Sequence, residues 1–256
     1  MNTLIHNEPK GGWKPLIVCD NLNTKAAHYA EQLEHHTITK SNIILVLGGD
    51  GTMIKAIHEY YKLNLPFYGL NFGHVGFLLN EVAPIPEELI SYNLPLLDVG
   101  WYDVDGWYGS AIAVNDAWVE RASAQTARLS LSIDSICRLP SLYADGLLVS
   151  TPQGSTAYTR AMGGIPLPLS TNALQVVGSN VSFPAWKFAL IDSNQQVAIE
   201  MHEKSKRPIR LLVDGVLKSD RTTKVVITKH QQYGVRLAFN PSHNLTEKIA
   251  LVQFPK

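Results

Sequence analysis

Five consecutive aliphatic residues, Ile43 to Leu47, run directly into Gly48-Gly49-Asp50-Gly51-Thr52. An apolar run of that length, with no polar residue in it, reads as a strand buried on both faces. Such strands belong to parallel sheets covered by helices. Met53, Ile54, Ile57, Tyr60 and Tyr61 then recur at helical spacing, which predicts a helix over 53–61. Three glycines in four residues predict a sharp strand-to-helix turn where backbone can approach a ligand with no Cβ between them. Free N–H groups and the helix dipole converge at such a junction and favour anions. An acid at its centre, Asp50, is costly there unless its carboxylate has a role. Accepting a proton from a hydroxyl that attacks a phosphate is one such role; capping the helix is the plainer alternative.

Other nucleotide and hydrolase signatures are missing. There is no Gly-x-x-x-x-Gly-Lys-Ser/Thr loop, no Gly-x-Gly-x-x-Gly, no Gly-x-Ser-x-Gly and no His-Glu-x-x-His. A formal net charge of zero argues against a nucleic-acid partner, since duplex binding needs a basic face. The basic run Lys204, Lys206, Arg207 and Arg210 is short and reads as a solvated turn before a strand. Two cysteines, Cys19 and Cys137, make no disulfide framework and fit a reducing cytoplasm. No cationic segment leads into a long apolar stretch at the start, and no run is long enough to span a bilayer. The expectation is a soluble cytoplasmic protein with no membrane partner.

The first part of the chain alternates strand and helix: a strand at Leu16–Cys19, a helix from Asn23 to Glu34, the strand and helix already placed, and a strand at Pro66–Leu70. Pro86 with Glu87 and Glu88 predicts a further helix start. From about residue 97 the period changes to two. Leu129, Leu131 and Ile133 alternate with polar residues, and Ala111–Val114, Val197–Ile199, Ile209–Val213, Val225–Ile227 and Val235–Phe239 follow suit. Two domains are predicted: an α/β domain over 1–96, with a parallel sheet and flanking helices, and a mainly β domain over 97–239. The tail 240–256, with Leu245, Ile249 and Leu251, is predicted to form a short helix that packs back on the first domain.

Three further segments join Gly48–Thr52: the glycine-punctuated loop Gly69 to Leu78, the pair Asn115-Asp116 after Val114, and the run Asp145 to Tyr158. In this order and spacing the four resemble the motifs of the NAD kinase family, over roughly residues 43–164. The first motif alone is shared with diacylglycerol and sphingosine kinases. The resemblance implies transfer of a phosphoryl group from ATP, or polyphosphate, to the 2′-hydroxyl of the adenosine ribose of NAD, giving NADP. It implies Asp50 as catalytic base, and Gly49, Gly51 and Thr52 around donor phosphates with Mg²⁺ or another divalent cation. Asn115, Asp116, Thr156, Ala157 and Tyr158 would contact adenosine and Asp145 the nicotinamide side. Phe77, Ala161 and Ala173 complete the implied binding set, and a dimer or tetramer is implied as the assembly.

The residues suit that reading. Asn115 and Asp116 can meet adjacent ribose hydroxyls, Gly154 permits a turn, Ser155 and Thr156 offer hydroxyls, and Tyr158 an aromatic face. The chain departs from the family's pattern at Met162 to Pro168 and at Gln175 to Asn180, and Val216 follows the Asp214-Gly215 pair where glutamine is common. His35, His36 and His74 are not expected to hold a metal, and Trp101, Trp107 and Trp118 are expected to pack. A lipid kinase and a non-catalytic NAD(P)-binding sensor stay open as alternatives.

Overall fold

The computed structural model describes residues 3–254. It divides into two compact units, Met1–Leu94 with Tyr233–Lys256, and Pro95–Gln232.

In the first unit the strands Pro15–Cys19, Ile43–Gly48 and Pro66–Asn71 pair in parallel in that order. Arg236 to Ala238, within the strand Val216–Phe239, extends the parallel set beside Pro66 to Tyr68. Every residue of Ile43–Gly48 is buried, as an aliphatic run covered on both faces requires. The helix Thr24–Glu31 is capped by Asn23, whose side chain accepts from the N–H groups of Lys25 and Ala26. Its Ala26 and Ala30 join Ile43, Leu45, Leu47, Tyr68 and Leu70 in one core. The helix Leu245–Gln253 closes the chain, capped by Asn244 and seated through Ile249.

Several elements differ from expectation, the first helix ending at Glu31 rather than Glu34. The second helix spans Asp50–Tyr60, so Asp50 lies in its first turn and Gly49 is the cap residue. No helix forms at Pro86–Ile90; the segment enters the long strand Glu88–Asp103, whose first residues pair antiparallel with Thr3–Asn7. Proline and acids suit a first turn locally, but Leu89 and Ser91 are buried at period two and the partner strand decides.

The second unit is antiparallel throughout. Phe188–Asp192, Ala173–Ser179, Gly146–Ser150, Asp116–Arg121 and Ile209–Val213 pair in succession, then Val216–Phe239, Val197–Met201, Ala127–Ile133 and Ile136–Ala144. Inward residues of Ala127–Ile133 alternate strictly with outward ones and feed a core that includes Leu147, Val149, Val176 and Ile199. Tight turns set two registers. Asp214 and Gly215, both at positive φ, join Val213 to Val216, and Asp134 and Ser135 join Ile133 to Ile136. Among the described residues no helix is long and apolar enough to cross a membrane.

Candidate functional site

The elbow after Ile43–Gly48 does not need its glycines for backbone shape, because neither Gly48, Gly49 nor Gly51 has a positive φ. The strand-to-helix turn expected of these glycines is made without left-handed backbone. Gly48 is required by packing: a Cβ there would stand 2.5 Å from Thr52 Oγ1. Gly49 and Gly51 are different, since a Cβ on either would meet nothing within 4 Å. Nothing in the chain itself demands glycine at those two positions, which leaves their open backbone surface as the feature glycine preserves. The Thr52 N–H is donated to Gly49 O at 3.0 Å, which takes it out of the expected amide set and leaves its hydroxyl.

Asp50 does not cap its helix either. Its Oδ2 accepts from Phe77 N–H at 2.9 Å and its Oδ1 from Leu78 N–H at 2.8 Å. Both donors belong to the glycine loop that follows Pro66–Asn71, which is tied to the elbow by Phe72 N–H donating to Gly48 O at 2.8 Å. The carboxylate is thus oriented by two backbone amides while each oxygen keeps a further lone pair. Phe77 itself is buried at this point, and His74 is exposed on the same loop.

In the second unit a carboxylate that the family reading leaves without a role organises the Asn115-Asp116 pair. Asp214 accepts from the N–H groups of Val114 and Asn115 at 2.7 Å and of Asp116 at 3.0 Å. The Asp-Gly pair between two period-two strands was the available signal for it. From the other side, Thr151 Oγ1 donates to Val114 O and Asn115 O, and Gln153 Nε2 donates to Val114 O. Gly154 serves the same packing rather than a turn: a Cβ there would stand 2.3 Å from Asn115 O. The Ser155 hydroxyl, expected to face a ligand, is buried and donates to Pro152 O while accepting from Leu167 N–H. Thr156 is half-buried and Ala157 exposed at the end of this run.

What the network presents is a pair of acceptors. Asn115 Oδ1 is buried with no hydrogen-bond partner among the described residues. The neighbouring Asp116 carboxyl is pushed up to about 7, by burial first and then by the Asp214 charge. Buried acceptors without donors are costly, and adjacent hydroxyls of a ligand would satisfy them.

The sign of the Asp116 shift makes a prediction. The native state holds this proton to about pH 7 whereas the unfolded chain releases it near 3.8, so stability falls as pH rises between those values. The loss amounts to about 4 kcal/mol across that window. Urea unfolding of the ligand-free protein at pH 5 and pH 8 should show about 3 kcal/mol of it, and Asp116→Asn should flatten the difference. An unchanged pH slope in that variant would refute the assignment.

Asp145 and Tyr158 line one cavity of about 460 Å³ together with Trp118, Arg121, Asn180 and Arg210. The Asp145 carboxylate pairs with Arg121 Nε at 2.7 Å and accepts from Asn180 Nδ2 at 2.7 Å. The Tyr158 ring stands edge-on to Trp118, with centroids 5.9 Å apart, and is half exposed. Trp101 packs in the core while Trp107 is exposed. Ala161 is exposed at the end of the short helix Tyr158–Ala161, and Ala173 begins the strand Ala173–Ser179. The departing segment at 162–168 is held by Gln175, whose side-chain amide both accepts from Ile165 N–H and donates to Ile165 O. Among the described residues no group of three His, Cys, Asp or Glu side chains is placed to hold a metal ion.

The model of the ATP-NAD kinase N-terminal domain matches residues 15–88, and that of the ATP-NAD kinase C-terminal domain matches residues 115–234. The NAD kinase of Rickettsia bellii is 33% identical over 245 residues, covering 91% of this chain and 95% of that protein. The NAD kinase of Rickettsia canadensis is 31% identical over 258 residues, covering 98% and 96%. Yeast NADH kinase complexed with NADH matches at a TM-score of 0.76 and 20% identity, over 86% of this chain and 69% of that one. An NAD kinase from Archaeoglobus fulgidus in complex with ATP matches at a TM-score of 0.70 and 18% identity, over 93% and 98%. At these identities the two structures bear on the fold.

Proposed function

The chain belongs to the NAD kinase family, and on that premise we propose that it transfers the terminal phosphoryl group of ATP to the 2′-hydroxyl of the adenosine ribose of NAD. The bond from phosphorus to the bridging oxygen of ADP breaks as the bond to the ribose oxygen forms. The hydroxyl proton passes to Asp50. The observation that carries this is the Asp50 carboxylate, turned away from its own helix and held by the Phe77 and Leu78 amides. Such a group is oriented before the substrate arrives, which is the main demand of phosphoryl transfer.

The first unit then handles phosphate: the open surfaces of Gly49 and Gly51, the helix N-terminus and the Thr52 hydroxyl face the donor. The second unit handles the nucleoside, with Asn115 Oδ1 and the Asp116 carboxylate receiving ribose hydroxyls. Thr156, Ala157 and Tyr158 receive the adenine side and Ala161 and Ala173 complete the second unit's contacts, while Phe77 is the first unit's member of the binding set. Asp145, fixed by Arg121 and Asn180, receives the nicotinamide amide. Mg²⁺ or another divalent cation would accompany ATP and neutralise charge on its phosphates. A cytoplasmic location and a dimer or tetramer complete the proposal.

The test is formation of NADP by the purified protein from NAD with ATP or inorganic polyphosphate, read by coupling to an NADP-specific dehydrogenase. NADP accumulation with ATP is expected. Tight NAD binding without NADP from either donor would overturn the reading in favour of a sensor; turnover of a diacylglycerol or sphingosine substrate in place of NAD would favour a lipid kinase.

A further inference from the structure

We propose that Lys248 is a positioning residue for Asp50, acting through the peptide group that joins Gly76 to Phe77. The proposal rests on the reading of Asp50 as the group that meets the substrate hydroxyl.

Lys248 sits near the start of the helix Leu245–Gln253, where the helix dipole disfavours a cation. Its place is explained by what its ammonium touches. Nζ donates to Gly76 O and to Leu79 O, both at 2.9 Å, and so brackets the segment whose amides hold Asp50. The Gly76 carbonyl and the Phe77 N–H are two ends of one peptide group. The ammonium donates to one end, and the other end donates to Asp50 Oδ2 at 2.9 Å. A cation on a carbonyl oxygen polarises its peptide and strengthens the opposite N–H as a donor. The chain of contacts is therefore ammonium, peptide, carboxylate, with no direct pairing needed between the two charges.

The segment between them is not free to adjust. Gly76 has φ +61°, and a Cβ there would stand 2.2 Å from the Asn71 side chain. Asn71 in turn accepts from Gly73 N–H, and Asn80 ties Gly69 O to Ala238 O beneath. The Lys248 ammonium is half-buried; burial holds it below the usual lysine range, while the nearby Asp50 and Glu81 carboxylates pull it back up.

Lys248→Met, Lys248→Gln and Lys248→Arg, compared with Asp50→Asn, test this by steady-state kinetics and by the backbone amide proton resonances of Phe77 and Leu78. In Lys248→Met, kcat should fall roughly 10- to 100-fold while KM for NAD stays within about twofold. The Phe77 amide proton should move upfield further than that of Leu78. Lys248→Arg should recover most of the turnover. If Lys248→Met does not fold, Lys248→Gln, which keeps N–H donors and loses the charge, decides by the same readouts. A folded neutral variant with wild-type kcat, or with kcat intact and KM raised, would overturn the proposal. Should Asp50→Asn lose turnover in that same experiment, only the relay fails; should Asp50→Asn also turn over normally, the reading of Asp50 itself fails.

Discussion

Asp50→Asn is expected to bind NAD with near-native affinity and to lose roughly 10²- to 10⁴-fold in kcat. The side chain keeps its shape, so the elbow and its open glycine surfaces stay in place. It loses the capacity to take a proton and one of its two acceptor oxygens. Whichever way the amide is turned, its NH₂ group faces either Phe77 N–H or Leu78 N–H, donor against donor. One part-buried N–H is then unsatisfied, which costs about 1–3 kcal/mol of stability. Calorimetric titration with NAD, single-turnover rates and a thermal melt separate these effects. Wild-type turnover in a variant that still binds NAD would remove Asp50 from the chemistry.

The second large effect belongs to Asp214→Ala. That carboxylate accepts three consecutive backbone N–H groups, Val114 to Asp116, and sits at φ +47°, where alanine is strained. Leaving those donors without an acceptor and forcing alanine into the left-handed region should cost about 3–6 kcal/mol. NAD affinity should fall with it, because Asn115 and Asp116 lose the anchor that aims them. Asp214→Asn is the informative companion. Asparagine tolerates the left-handed conformation and keeps one acceptor oxygen, so its stability loss should be smaller. It also removes the like charge that helps hold the Asp116 carboxyl up near 7, which should then ionise at lower pH. Urea midpoints for both variants, with NAD titrations, check this; an Asp214→Ala midpoint equal to wild type would sink the account.

Much of the architecture was legible because it is written in short-range pattern. The all-apolar Ile43 to Leu47, running into glycines, reads as a strand buried on both faces, and Leu129, Leu131 and Ile133 alternate as in a half-buried strand. The helix opening at Asn23 was readable because asparagine suits a helix start, and its side chain there accepts from the N–H groups of Lys25 and Ala26. The strand at Glu88 was not readable. Its partner, Thr3–Asn7, lies some eighty residues away, and nothing in Pro86-Glu87-Glu88 reports a pairing made at that distance. The candidate site divides along the same line. Asp50, Asn115, Asp116 and Tyr158 stand out by residue type and neighbours, whereas Asp214 stood only in an Asp-Gly pair with no role attached and Lys248 carries no local signal.

Residue order alone therefore determined the buried strand at Ile43–Leu47, the alternating strand around Leu129–Ile133, the change to a mainly β second part, and the acid in the glycine elbow, since each depends on neighbours a few positions apart. Folding in three dimensions decided how those groups are held. The Asp50 carboxylate finds its donors 27 and 28 residues downstream. The Asn115-Asp116 backbone is anchored by Asp214 from about a hundred residues away. Hydrogen bonds form between groups that meet in space, and no local periodicity encodes such a meeting.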